Sequence, residues 1–163
     1  MKALFTLLLF SVTATTCFSQ YQPKAEPSGR AQAIYGEFLG SGLIFSAHYD
    51  FRFAKTQNGF GMRAGLGFVG GSGGGVLTIP VGINHLAGKG PHYFESGLGV
   101  TWGATTSGDF EDDAGFFFVP SVGYRYMPLA NGFTARINLS PLIYLGEGGG
   151  WLMWGGFSLG YKF

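Results

Sequence analysis

The chain has 163 residues and a formal net charge of only +1, which argues against nucleic acid as a partner. Thirty glycines, 17% aromatic residues and only 12% charged residues would leave a soluble protein with much apolar surface and few charges to keep it dissolved. The same composition is ordinary for a chain that is surrounded by lipid.

The first residues have the three parts of a secretory signal peptide. Lys2 is followed by an apolar run over residues 3–12, and small and polar residues continue to Gln20. The apolar run is about half the roughly 20 residues that a membrane-spanning helix needs. We therefore expect a signal peptide that is cleaved after Ser19.

Cleavage at this point divides the chain into three parts. Residues 1–19 are the signal peptide, residues 20–30 are a short polar lead-in, and residues 31–163 form one domain. Cys17, the only cysteine, is an alternative site of lipidation, although residues 14–16 match a lipoprotein signal poorly. The chain after residue 19 is cysteine-free and needs no disulfide.

Eight segments of this domain alternate between apolar and polar residues, as strands do when their two faces meet different surroundings. The predicted strands are 33–40, 43–53, 62–69, 76–86, 92–104, 116–127, 133–145 and 151–163. Most are close to the 9–11 residues of a tilted membrane strand. Residues 64–84 are uncharged and long enough for a helical span, but they include Pro80 and eight glycines. Each glycine costs about 1 kcal/mol relative to alanine in a helix, so two strands are the better interpretation.

Two features indicate that the apolar faces point outward. The polar faces carry few charges and many glycines, which suit the narrow interior of an eight-stranded barrel better than a water-exposed surface. These glycines are Gly65, Gly67, Gly82, Gly97, Gly99, Gly123, Gly156 and Gly160. The apolar faces carry aromatic residues near both strand ends, as interfacial girdles do. A soluble lipocalin-like barrel would have the opposite arrangement. We predict an all-β fold, an eight-stranded antiparallel up-and-down transmembrane β-barrel.

Charged side chains form a set on the inward faces. An arginine at the lipid-facing midplane would cost about 2–4 kcal/mol, so the alternation is enforced energetically. We expect a paired network that plugs the interior, because arginine can donate two hydrogen bonds to one carboxylate. Its predicted members are Glu37, Asp50, Arg52, Arg63, Glu95, Arg125 and Arg136. A structural role is expected, with a proton or ion pathway as the alternative.

The final strand ends on Phe163, with Trp151, Phe157 and Tyr161 on the same apolar face. In this it resembles the C-terminal strand of bacterial outer-membrane β-barrels, where such residues are the signal for the barrel-assembly machinery. With the signal peptide, the eight alternating segments and the internal charges, residues 31–163 resemble the small barrels of the OmpA-transmembrane or OmpX type. The resemblance implies an integral outer-membrane protein that contacts lipid and lipopolysaccharide, with both termini and the lead-in in the periplasm. A monomer without cofactor is expected.

The resemblance also sets an expectation for the loops. Three turns near residues 54–61, 87–91 and 128–132 would be periplasmic, and the outer loops would be short apart from residues 105–115. That loop clusters four acidic residues whose oxygens could hold Ca²⁺. They are Asp109, Glu111, Asp112 and Asp113. Their spacing fits no EF-hand, so a solvated loop without metal is expected. Long loops carry partner binding in better-known members, and short ones weaken an adhesin role.

The sequence therefore favours a non-enzymatic barrel with a structural or surface-interaction role. Ser46 and His48 are the nearest match to the His-x-Ser pair of lipid A deacylases, in reverse order and facing inward. A lipid A-modifying enzyme and a narrow small-solute channel remain the alternatives. Pro80, Pro120 and Pro141 fall inside predicted strands, where we expect bulges or missing backbone hydrogen bonds.

Overall fold

The computed structural model describes residues 29–71, 74–105 and 114–163, and these residues form ten β-strands. The strands are β1 (Gln32–Gly40), β2 (Leu43–Arg52), β3 (Gly59–Gly71), β4 (Gly74–Lys89), β5 (His92–Thr105), β6 (Ala114–Tyr126), β7 (Gly132–Leu139), β8 (Leu142–Tyr144), β9 (Gly150–Leu152) and β10 (Gly155–Lys162). Within the described ranges, no helix has the length and apolar character needed to cross a bilayer. The predicted signal peptide lies outside them, as does most of the lead-in.

The strands close into a barrel. Each of β1 to β6 pairs antiparallel with its neighbour along the chain, and β10 pairs with β7 on one side and β1 on the other. The last pairing runs from Ala33 opposite Lys162 to Phe38 opposite Phe157. Because β7 with β8, and β9 with β10, each form one interrupted strand, the wall has eight strands. The prediction of an eight-stranded antiparallel barrel is confirmed.

The seventh and eighth strands are each interrupted. The interruption of the seventh strand falls at Pro141, where missing hydrogen bonds were one of the two predicted outcomes, whereas the prediction of a continuous eighth strand over residues 151–163 is wrong. The physical cause is Pro141, which has no N–H to donate to a neighbouring strand. On the β6 side, Val122 pairs with Leu139 and Phe118 pairs with Ile143, so the register is the same on both sides of the break. This register places Pro141 opposite Pro120.

Pro80 has a similar effect between β3 and β4. The pairings Ala64 with Val81 and Gly67 with Thr78 keep one register, and two pairings between them are missing. No residue is inserted at either site. The prolines are therefore accommodated by missing backbone pairings without bulges.

The two faces of the wall differ as predicted. Large apolar side chains such as Ile34, Leu66, Phe94 and Ile137 are exposed on the outside. The buried set is mostly polar or charged, which is the reverse of a water-soluble protein. The alternation is lost near some strand ends, for example in β9, where all three residues are exposed, and at the end of β4, where residues 87–89 are all exposed.

The two ends of the barrel are distinguished by their turns. The end that carries residues 53–58, 90–91 and 127–131, together with Gln32 and Lys162, is called the terminal end; the opposite end is called the loop end. The wall has unequal height: β3 to β6 have 13–16 residues, whereas β1 and β2 have 9 and 10. The turn between β1 and β2 therefore lies well below the rim formed by the neighbouring strands.

Candidate functional site: the charged interior of the barrel

Strand register brings the inward charges to similar heights. Asp50 on β2 lies directly opposite Arg63 on β3, and Arg125 on β6 lies opposite Arg136 on β7. Glu37 on β1 lies between Ser46 and Ser158. All these charged side chains are buried.

Asp50 is the centre of the first cluster. Its two carboxylate oxygens accept hydrogen bonds from Arg52 at 2.9 Å and Arg125 at 3.0 Å. The side-chain amide of Asn84 donates to the same carboxylate at 2.7 Å and also contacts Arg52. Two guanidinium groups therefore share one fully buried carboxylate.

Glu95 and Glu37 extend the network across the interior. Arg136 donates to Glu95 at 3.2 Å and also pairs with Glu37. Arg125 lies 3.7 Å from the second oxygen of Glu95, which joins this part to the Asp50 cluster. The like charges of Arg125 and Arg136 are tolerated side by side because carboxylates lie between them.

Two uncharged members were not among the residues that we predicted for the network. Tyr35 stacks on His48 with ring centroids 5.0 Å apart, and the guanidinium of Arg136 lies 4.9 Å from its ring centroid. Asn84 bridges Asp50 and Glu95, donating to the latter at 3.1 Å. The alternation of strand faces places both residues inside the barrel, but the network predicted from the sequence contained charged residues only.

Arg63 differs from the pairing that we expected. It is buried beside the network, yet it has no carboxylate oxygen within 4.0 Å among the described residues. Its Nη1 also has no hydrogen-bond partner there. The opposite residue, Asp50, is already occupied by Arg52 and Arg125. Among the described residues, the interior therefore holds four guanidinium groups and three carboxylates, so one positive charge is not balanced.

The loop end of the interior is closed by the turn between β1 and β2, which folds inward. The hydroxyl of Thr78 donates to the carbonyl of Gly42 at 3.0 Å, and that of Thr101 donates to the carbonyl of Ser41 at 2.6 Å. Ser41 donates through its backbone N–H and its hydroxyl to Glu37, at 3.0 and 2.9 Å. Ser41 is itself buried.

The terminal end is closed by a different group of contacts. The ammonium group of Lys162 donates to three successive carbonyls of residues 128–130, at 2.6–3.1 Å. Gln57 donates to the first of them at 2.7 Å and accepts from Tyr93 at 2.6 Å. An apolar layer lies in the same part of the interior, formed by Ala33, Leu86, Tyr93 and Met127.

In the middle of the barrel, the gap beside Tyr35 and Arg136 is too narrow for a water molecule.

Ser46, His48 and Glu37 lie close together but do not form a catalytic relay. The hydroxyl of Ser46 is 2.8 Å from Nε2 of His48, and the carboxylate of Glu37 is 3.1 Å from the same nitrogen. A serine–histidine relay needs the nucleophile and the orienting carboxylate on opposite ring nitrogens. Here Nδ1 has no partner among the described residues, so the pair is better explained as part of the interior network.

The remaining predicted residues lie elsewhere. Trp151, Phe157, Tyr161 and Phe163 are exposed on the outer surface of the last strand. The acidic cluster Asp109, Glu111, Asp112 and Asp113 lies outside the described residues. Within the described part of the chain, no group of three or more potential ligands could hold a metal ion.

Comparison with known proteins supports the fold. No family model and no curated protein sequence matches the chain. Among solved structures, the chain is similar to the N-terminal β-barrel domain of Pseudomonas aeruginosa OprF, with a TM-score of 0.51 and 16% sequence identity. The similarity covers 82% of this chain and 96% of that domain. The chain therefore shares the fold of that eight-stranded barrel domain.

Proposed function

We propose that this chain is a non-enzymatic integral protein of the bacterial outer membrane, with a structural or surface-interaction role and a plugged interior. In this proposal the terminal end faces the periplasm and the loop end faces the outside. The chain contacts membrane lipid and lipopolysaccharide, requires the barrel-assembly machinery and acts as a monomer.

The observation that carries the proposal is the reversal of polarity across the wall. Exposed aliphatic and aromatic side chains surround the barrel, whereas buried arginines and carboxylates fill it. Water would penalise such an outer surface, and hydrocarbon solvates it favourably. In a closed barrel, each strand is hydrogen-bonded to a neighbour on both sides along most of its length. A strand that crosses a bilayer needs this pairing, because hydrocarbon offers its backbone no other hydrogen-bond partners.

The plugged interior supports a structural role over a channel. Ion pairs cross the middle of the barrel, and both ends are covered by turns that are hydrogen-bonded to the wall. The OprF domain supports the fold only, so the cellular role rests on this geometry.

Membrane fractionation with gel electrophoresis tests the location and the fold together. We expect the protein in the outer-membrane fraction, with anomalous gel mobility before boiling and normal mobility afterwards. Recovery of the processed chain in the soluble fraction would contradict the proposal.

Two further measurements test the role. Planar bilayers containing the purified protein should show almost no conductance, and sustained channel activity would favour a small-solute channel. Mass spectrometry of lipid A should give the same acylation with the parent chain and with Ser46→Ala/His48→Ala. A change caused by that variant would instead indicate a lipid-modifying enzyme.

A further inference from the structure

The turn between β1 and β2 has features that sealing the barrel does not require. Leu39 and Leu43, at its two ends, have φ angles of 50° and 72°, in the left-handed region that side-chain-bearing residues rarely adopt. Strained positions of this kind persist only where the surroundings hold them, and they occur often in segments that switch. Here they bracket a five-residue segment, 39–43.

Among the described residues, polar contacts with Thr78, Thr101 and Glu37 hold this segment inside the barrel. The two threonine hydroxyls come from β4 and β5, so the segment leans across the inner face of β3. Gly67 on β3 makes this possible: a Cβ at Gly67 would lie 2.5 Å from the carbonyl oxygen of Gly42. The inner surface beneath the segment is thus shaped to receive it.

The segment covers a polar group of the network. Added bulk at Gly42 would overlap the side chain of Ser46, and Ser41 is bonded to Glu37. Ser46 and Glu37 both lie next to His48. Because β1 and β2 are the shortest of the first six strands, an outward movement would carry the segment over the low part of the wall that these two strands form.

We infer that residues 39–43 are a lid. The lid moves between the inward position described here and an outward position, pivoting at Leu39 and Leu43. When it lifts, Glu37, Ser46 and His48 become accessible from the loop end. The inference that the lid faces the outside of the cell rests on the orientation given in the proposed function. The inference that the lid moves does not depend on that orientation.

A thiol under the lid reports this movement. Ser46→Cys is introduced into the full chain with Cys17→Ser, so that it is the only cysteine. The folded barrel is purified in detergent micelles, and the rate of reaction with a small maleimide is measured. Both ends of the barrel are accessible in micelles, so the labelling rate does not depend on where the protein lies in the cell. Gel mobility before and after boiling reports separately whether the barrel is folded.

Two changes should open the lid. Thr78→Val/Thr101→Val removes the two hydroxyl donors, and Gly67→Ala places a methyl group against both the hydroxyl of Thr78 and the carbonyl of Gly42. We expect each to raise the labelling rate about tenfold or more, as the loss of one or two hydrogen bonds to the closed position implies. Leu39→Asn should lower the rate, because asparagine tolerates the left-handed conformation.

Three controls separate the lid from general loosening. Thr134→Val removes an inward hydroxyl elsewhere, Gly36→Ala adds a methyl group where nothing lies within 4 Å, and Lys162→Met loosens the terminal end. All three should leave the labelling rate unchanged. The inference is overturned if folded Thr78→Val/Thr101→Val labels no faster than the parent, or if Lys162→Met accelerates labelling equally. Immediate reaction of the parent thiol would overturn it too, since the segment would then not be closed.

Discussion

Replacing Asp50 by alanine is the most direct test of the charged interior. Asp50 is fully buried and accepts charge-assisted hydrogen bonds from Arg52 at 2.9 Å and Arg125 at 3.0 Å, with a third from Asn84 at 2.7 Å. Its removal leaves Arg52 without a carboxylate among the described residues. Arg125 keeps only Glu95, at 3.7 Å.

The expected loss follows from these contacts. Removing one partner of a buried ion pair costs about 3–5 kcal/mol, because the other charge stays buried without compensation. With Arg125 partly compensated by Glu95 and Arg52 uncompensated, we expect Asp50→Ala to lower the free energy of unfolding by about 3–4 kcal/mol. Asp50→Ala/Arg52→Met should lower it by less than Asp50→Ala alone, since the double variant removes the stranded charge.

Urea unfolding in lipid vesicles, followed by tryptophan fluorescence, measures these differences. Glu147→Ala, which removes a carboxylate from an exposed turn, is the matched control and should change the free energy of unfolding by less than about 0.5 kcal/mol. A loss below about 1 kcal/mol for Asp50→Ala would show that the interior charges are solvated or rearranged, and the reasoning would fail.

Three other substitutions test separate parts of the structure. Lys162→Met removes three carbonyl contacts at the terminal end and should lower the free energy of unfolding by about 1–3 kcal/mol in the same urea assay; no change would mean that water replaces the ammonium group. Gly160→Val should abolish the gel-mobility shift on boiling, because its Cβ would overlap the carbonyl oxygen of Ile34 in the closing pair of strands. A normal shift would show that β1 and β10 are not so close. Ile137→Arg places a charge on the outer surface and should cost about 2–4 kcal/mol in vesicles if it lies at the midplane. A negligible cost there would place Ile137 outside the hydrocarbon.

The strand pattern was readable from the sequence because each strand has one apolar and one polar face. The same alternation placed Asp50 and Arg125 inside without any knowledge of pairing. It could not show that Pro120 and Pro141 lie opposite each other, since this depends on the register between two strands. Missing hydrogen bonds were predicted at Pro141 in the seventh strand, whereas the break in the eighth strand was not, because it depends on which residues lie opposite Pro141.

The polar contacts of the interior were only partly predictable. The roles of Asn84 and Tyr35 were not predicted, because a pattern of charged residues does not indicate which neutral side chains bridge them. Residues 41 and 42 read as an ordinary two-residue turn. Their inward position depends on hydroxyls that are 36 and 60 positions away along the chain, at Thr78 and Thr101. No local pattern carries that information.

The unequal wall height decides from where the lid can be reached. At about 3.3 Å per residue and a tilt near 40°, the nine residues of β1 rise about 23 Å, close to the roughly 25 Å apolar band of such barrels. The 16 residues of β4 rise about 40 Å on the same basis. Residues 87–89 of β4 extend beyond the start of β3 at the terminal end, and the rest of its extra length raises the wall at the loop end, opposite the low side formed by β1 and β2. In the proposed membrane location and orientation, the segment 39–43 is therefore reached most directly along the headgroup layer, on the side of β1 and β2.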